Sequence, residues 1–169
     1  MTTVFVIMGV SGCGKSTVGV ALAKKLDCLF YDGDDYHPPE NVAKMASGFP
    51  LNDTDRYPWL AKLHDMIGEH LERGEPAVVA CSALKKKYRR QLHKGNDGLQ
   101  FVYLRGSFEL ILLRMTGRQG HYMKAEMLRS QFNTLEEPDS HEALIIDIEN
   151  DVDSMVEIIL AGSDSKAPV

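Results

Sequence analysis

The sequence predicts a three-layer α/β/α domain around a five-stranded parallel sheet, and three observations carry that expectation. Short apolar runs at 4–8, 28–31, 77–81, 101–104 and 144–148 are separated by segments of helical character. Two stretches, Ala77-Val78-Val79-Ala80-Cys81 and Ala143-Leu144-Ile145-Ile146, are unbroken by polar residues, as strands covered on both faces must be. The residues that follow the runs are unusually polar, and in an open α/β sheet ligands gather at the carboxyl ends of the strands.

Taken in order, Val4-Phe5-Val6-Ile7-Met8 reads as a buried strand that leads into Gly9-Val10-Ser11-Gly12-Cys13-Gly14-Lys15-Ser16, a match to the phosphate-loop pattern G-x-x-x-x-G-K-[ST]. Thr17 then opens a helix whose N-terminus favours the same anion. The second strand ends in Asp32-Gly33-Asp34-Asp35. Residues 51–57 read as a loop entering a helix with Pro58 in its first turn, because Trp59, Leu60, Leu63, Met66, Ile67 and Leu71 recur at helical spacing. The third strand gives way to Ser82 and the basic run Lys85-Lys86-Lys87-Tyr88-Arg89-Arg90, in which Lys85 and Arg89 share a helical face. Arg114 and Arg118 close the helix after the fourth strand and introduce Gln119-Gly120-His121-Tyr122-Met123, which reads as the loop of a lid spanning about 118–130. A fifth strand runs into Asp147, and residues 162–169 read as a frayed tail behind a single domain of residues 1–161.

With 169 residues there is room for one domain with a sizeable core. A net charge of −5 argues against a surface built for nucleic acid or an anionic membrane. No stretch approaches a membrane span, and the N-terminal apolar run is too short for a signal peptide. Cys13, Cys28 and Cys81 form neither an even disulfide set nor a metal-binding spacing, which points to a reducing compartment, the cytoplasm by default.

Phosphoryl transfer needs a held metal, a positioned acceptor hydroxyl and positive charge around the migrating group. The backbone of Gly9, Val10, Ser11, Gly12, Cys13, Gly14, Lys15, Ser16 and Thr17 is the expected cradle for the phosphates of ATP, with Lys15 reaching the β- and γ-phosphates and Ser16 placed on Mg²⁺. The third strand carries no acidic residue at its end, so the metal carboxylate is assigned to Asp32 and the acceptor hydroxyl to Asp34. Arg56, Ser82, Lys85 and Arg89 are the expected cationic, hydrogen-bonding pocket for an anionic acceptor, with pairing to Asp53 or Asp55 as the alternative for Arg56. Arg118 is expected to bring transition-state charge from the lid, and His121 is counted with the acceptor-binding residues. Cys13, as a thiol near a helix N-terminus, is expected to have a lowered pKa and to be shielded by ATP. A regulatory GTPase is excluded by the lack of an N-K-x-D motif; the D-x-x-G match at 65–68 falls inside an amphipathic helix.

The blocks Met8-Gly-Val-Ser-Gly-Cys-Gly-Lys-Ser16, Asp32-Gly-Asp-Asp-Tyr-His-Pro38, Lys44-Met-Ala-Ser-Gly48, Pro50-Leu-Asn-Asp53 and Cys81-Ser-Ala-Leu-Lys-Lys86 closely resemble gluconokinases. The resemblance spans nearly the whole chain and continues through Gly120-His121 and Gln131-Phe132-x-x-Leu135-Glu136-x-Pro138. It implies the P-loop kinase fold shared with shikimate and nucleoside monophosphate kinases, and ATP-dependent phosphorylation of D-gluconate at its terminal hydroxyl. A related sugar acid or shikimate is the alternative acceptor. It further implies a homodimer, Arg114 flanking adenine, Arg118 on the phosphates and the loop near Asp147 bordering the base. Cys13 stands where serine is common in these enzymes. The resemblance gives no role to residues 131–138.

Overall fold

The computed structural model describes residues 2–116 and 122–164. Five strands, β1 (Val4–Met8), β2 (Leu29–Asp32), β3 (Ala77–Ala80), β4 (Leu99–Arg105) and β5 (Ala143–Asp147), form one sheet in the order β2-β3-β1-β4-β5, parallel throughout. The first strand therefore lies at the centre, and later strands are added on one side and then the other. Such a reversal opens a crevice at the carboxyl edge beside β1.

The alternation of side chains along each strand builds two cores rather than one. Phe5 and Ile7 of β1, with Val78, Val102 and Leu104, face helices α1 (Lys15–Leu26), α5 (Phe108–Thr116), α6 (Tyr122–Thr134) and α7 (Val152–Asp164). Val4, Val6 and Met8, with Val79, Phe101 and Tyr103, face α3 (Asp53–Arg73) and α4 (Lys86–His93). All five residues of β1 are buried, the condition for an unbroken apolar run at the centre of a three-layer domain.

The helices depart from the sequence expectation at several points. The helix expected from Pro58 starts at Asp53, because Asn52 and Asp55 form a reciprocal capping box: Asp55 N–H donates to Asn52 Oδ1 at 2.8 Å, and Asn52 N–H to Asp55 Oδ2 at 2.9 Å. Pro58 thus falls in the second turn, where it forfeits one intrahelical bond. A further helix, α2 (Pro39–Ala46) in chain order between β2 and α3, has no counterpart in the expected elements. The stretch expected to fray from residue 162 continues as α7 to Asp164, because Gly162 lies so close to Leu144 that a Cβ there would stand 2.9 Å from Cδ2. Tyr122 and Met123, expected in a loop, belong to α6.

Candidate active site

The strand register sets the level of every site residue. Asp32 is level with Ala80, and Ala80 with Ile7, so the ends of β2, β3 and β1 reach the same edge. The phosphate loop turns there on glycines in left-handed backbone, with φ of 144° at Gly9, 80° at Gly12 and 101° at Gly14, conformations that L side chains rarely adopt. Gly9 N–H donates to Ser82 O at 3.3 Å, which joins the loop to the end of β3 and places Ser82 beside it. The Lys15 ammonium donates to the carbonyls of Gly9 (3.0 Å) and Val10 (2.9 Å), inside the ring of loop residues. Ser16 is exposed in the first turn of α1, and its hydroxyl has no hydrogen-bond partner among the described residues; Thr17 follows it, also exposed.

Asp32 ends β2 and Asp34 sits on the short 3-10 turn, Gly33–Tyr36, that continues it. Asp32 Oδ1 caps this turn by accepting Asp34 N–H at 3.0 Å. Only glycine fits between them, since a Cβ on Gly33 would stand 2.5 Å from the Ala80 carbonyl oxygen. The turn is pinned from below by Trp59, whose indole N–H donates to Gly33 O at 2.7 Å, and His37 stacks on that indole at 4.2 Å. Asn41 Nδ2 bridges His37 Nδ1 (3.3 Å) and the Asp55 carbonyl (2.8 Å), tying the turn to α2 and α3. Burial lowers the His37 pKa, and the nearby charges of Asp34 and Arg56 act on it in opposite directions. Likewise the Cys81 thiol at the end of β3 is pushed up to about 12, chiefly by burial, and feels both Asp34 and Lys15. The charges of Asp34 and Lys15 thus both act on the end of β3, and those of Asp34 and Arg56 both act on His37.

Arg56 takes neither Asp53 nor Asp55 as a salt-bridge partner among the described residues. Asp55 is held by Lys44 at 2.6 Å. Asp53 accepts from Lys87, Tyr88 Oη and Lys85, the last at 3.2 Å, and these donors, Lys87 foremost, hold its carboxyl well below the usual range. Arg56 Nη1 donates instead to Tyr88 Oη at 2.9 Å and lies over the same ring, 5.5 Å from its centre. Lys85 approaches that ring at 5.8 Å. The outcome is an aromatic post, Tyr88, that carries Arg56 and Lys85 while Asp53 anchors its hydroxyl. Lys87, though more than half exposed, is part of the same anchor.

Two expectations are corrected by burial. Arg89 is 1% exposed, and all five of its N–H groups are taken: Nε by Glu142 Oε1 (2.6 Å), Nη1 by the carbonyls of Ala83 (2.8 Å) and Leu84 (3.1 Å), Nη2 by Glu136 O (2.8 Å) and Glu142 Oε2 (3.4 Å). It shares a helical period with Lys85 but points into the protein, so it has no donor left for an acceptor molecule. Cys13 is also 1% exposed, and burial raises its thiol pKa, against the lowered value expected at a helix N-terminus. Its Sγ fills the space that any side chain on Gly9 would need, at 2.8 Å.

Arg114 reaches the strand-five loop, where Nη2 donates to Ile148 O at 2.9 Å. Beside it, Arg105, Gly106, Ser107, Leu110, Glu137, Asp147 and Glu149 line a cleft of about 310 Å³ at the carboxyl ends of β4 and β5. Arg118 and His121 lie outside the described residues.

Residues 131–138 turn out to brace the site. Gln131 bonds Ser11 of the phosphate loop, Glu136 accepts Lys86 N–H at 2.8 Å at the start of α4, Glu137 accepts the Tyr103 hydroxyl at 3.0 Å, and Pro138 is buried. Only the clustering of polar residues with a proline hinted at this in the sequence, since each partner is distant along the chain.

A shikimate kinase family model matches residues 11–158. The thermoresistant gluconokinase of Escherichia coli strain K12 is 46% identical over 155 residues, covering 90% of this chain and 89% of its own. The gluconokinase of Gluconobacter oxydans is 47% identical over 140 residues, 83% of this chain and 79% of its own. Among solved structures, a gluconokinase from Sinorhizobium meliloti superposes with a TM-score of 0.84 at 44% identity, covering 96% of this chain and 92% of that one. Matched along nearly its whole length in both sequence and fold, the chain belongs to the gluconokinase family, within the wider kinase family that the shikimate kinase model describes.

Proposed function

We propose that this chain transfers the γ-phosphoryl group of ATP in line to the terminal hydroxyl of D-gluconate, giving 6-phospho-D-gluconate and ADP. The observation that carries the reading is the Asp34 turn, braced by Trp59 and Asp32 at the end of β2, level with the end of β3 that the Lys15-bearing phosphate loop adjoins. Asp34 accepts the proton of the terminal hydroxyl as its oxygen attacks phosphorus, and the bond from phosphorus to the bridging oxygen of ADP breaks. Lys15 leaves the loop carbonyls to neutralise charge on the transferring group. Arg56 and Lys85, carried on Tyr88, hold the carboxylate and hydroxyls of the acceptor, with Ser82 contributing from its place beside the phosphate loop. Arg114 and the cleft at Asp147 flank the base; Arg118 and His121 complete the phosphate and acceptor contacts.

Ser16 and Asp32 fit Mg²⁺. The exposed Ser16 hydroxyl has no competing partner among the described residues, and the second oxygen of Asp32 makes no hydrogen bond there. No cluster of three metal-ligating side chains occurs among the described residues, which suits an ion that takes most of its ligands from phosphate and water. Such an ion supplies charge neutralisation at the β- and γ-phosphates.

The enzyme works as a homodimer in the cytoplasm on this reading; its three unpaired cysteines suit a reducing compartment, and no described helix is long and apolar enough to cross a membrane. ADP release with Mg·ATP and a panel of D-gluconate, its epimers, shikimate and nucleoside monophosphates tests the reading. Turnover that requires D-gluconate is expected; turnover confined to another acceptor contradicts the substrate.

A further inference from the structure

Gln131 joins two segments 120 residues apart. Its Oε1 accepts the N–H of Ser11 at 2.6 Å, and its Nε2 donates to Ser11 Oγ at 3.1 Å, so a single amide holds both the N–H and the hydroxyl of the third residue of the phosphate loop. Gln131 is itself fixed from behind. Leu128, one turn earlier on α6, is fully buried, and the next residue, Phe132, meets Phe108 of α5 edge to face with ring centres 5.8 Å apart. The neighbouring residue of the loop, Gly12, abuts α5: a Cβ there would stand 2.6 Å from Met115 Cγ.

We propose that Gln131 is a positioning residue for the nucleotide, clamping Ser11 so that the following amides of the loop, from Gly12 onward, converge on the phosphates before ATP arrives. The physical need lies in the loop itself. Glycines at positions 9, 12 and 14 give it the turns it requires but also the greatest freedom to lose on ordering. A clamp supplied from a rigid helix removes part of that cost from the binding step. Ser11 N–H, already donated to Gln131, is then a structural bond, and phosphate recognition starts one residue later. This inference rests on the loop binding ATP, as proposed above.

The test is calorimetric binding of Mg·ATP, without acceptor, to the wild type, Gln131→Ala, Ser11→Ala and the double variant, together with steady-state kinetics. Loss of two hydrogen bonds that order the loop predicts an ATP Kd and KM about tenfold higher in Gln131→Ala, with the gluconate KM and the kcat at saturating ATP much less affected. Ser11→Ala keeps the bond from its N–H and is expected to weaken ATP by only about threefold. Because both substitutions remove the same Oγ contact, the double variant should bind ATP no more weakly than Gln131→Ala. Normal ATP affinity in Gln131→Ala, or additive losses in the double variant, overturns the clamp. Thermal unfolding of each variant separates a loosened loop from a loosened fold, and Ser11→Ala tests the contact even if Gln131→Ala is unstable. If the wild type binds ATP but phosphorylates no gluconate, the functional reading fails while the clamp stands or falls on the binding data.

Discussion

Arg56 shows how a side chain acquires a role from what its rivals are doing. Two carboxylates lie within three residues of it, yet Asp55 is committed to Lys44 and to the cap of α3, and Asp53 to Lys85, Lys87 and Tyr88. The guanidinium is left on the Tyr88 hydroxyl, where it keeps donors for an incoming anion. Burial, and then the Asp53 carboxylate, push the Tyr88 pKa up to about 12, so the phenol stays protonated and bridges the two across the working range of pH. Tyr88→Phe should therefore raise the gluconate KM by roughly tenfold or more, the worth of a hydrogen bond to a charged group, with little change in the ATP KM; an unchanged gluconate KM would show that Arg56 needs no post. The residue types of this pocket were legible in the sequence, but the choice of partners was not, because spacing alone left Arg56 open to either nearby acid or to an anionic acceptor.

Arg89 and its helix make the complementary point. A spacing of four places Lys85 and Arg89 on one helical face but says nothing about which way that face turns. In the fold Lys85 is the N-cap of α4, and Arg89, one turn on, passes under the helix to fasten Glu142 and the carbonyl of Glu136. Removing it leaves Glu142 and three carbonyls without their cation, so Arg89→Ala should cost about 3 kcal/mol of stability in denaturant unfolding. A variant of normal stability with a raised gluconate KM would restore Arg89 to the acceptor pocket. The capping box of α3 was readable as Asn52 and Asp55 at the right spacing, yet Pro58 drew the expected start inward. The bracing by residues 131–138 was out of reach, since a contact such as Gln131 with Ser11 leaves no periodic trace in the chain.

For the molecule as a whole, the parallel sheet and its carboxyl-edge site were the most legible features, because buried strands leave continuous apolar runs and a phosphate loop has a fixed spacing. Titration behaviour depends on the tertiary structure. Asp53, Asp55, Asp139 and Asp151 all have pKa values lowered by donors, chiefly Lys87 for Asp53, Lys44 for Asp55 and backbone N–H groups for the last two. The unfolded chain binds protons at these carboxyls more readily than the native one, so their contribution is present above about pH 4 and is lost as pH falls through the lower native values. His64 acts in the opposite sense: the Lys94 carbonyl, followed by Asp65, raises its pKa, so its contribution is full below about pH 6.5 and is lost as pH rises through the higher native value. Denaturant unfolding across pH should accordingly show a fall in stability below about pH 4; a flat or rising curve on acidification would contradict the donor networks. The central claim is that Asp34 is the carboxylate that takes the acceptor proton, and rapid-quench transfer from labelled ATP to D-gluconate by Asp34→Asn measures it most directly. The expected result is a transfer rate reduced by at least about 100-fold with ATP affinity within a factor of about three of wild type; transfer at the wild-type rate would remove Asp34 from the chemistry.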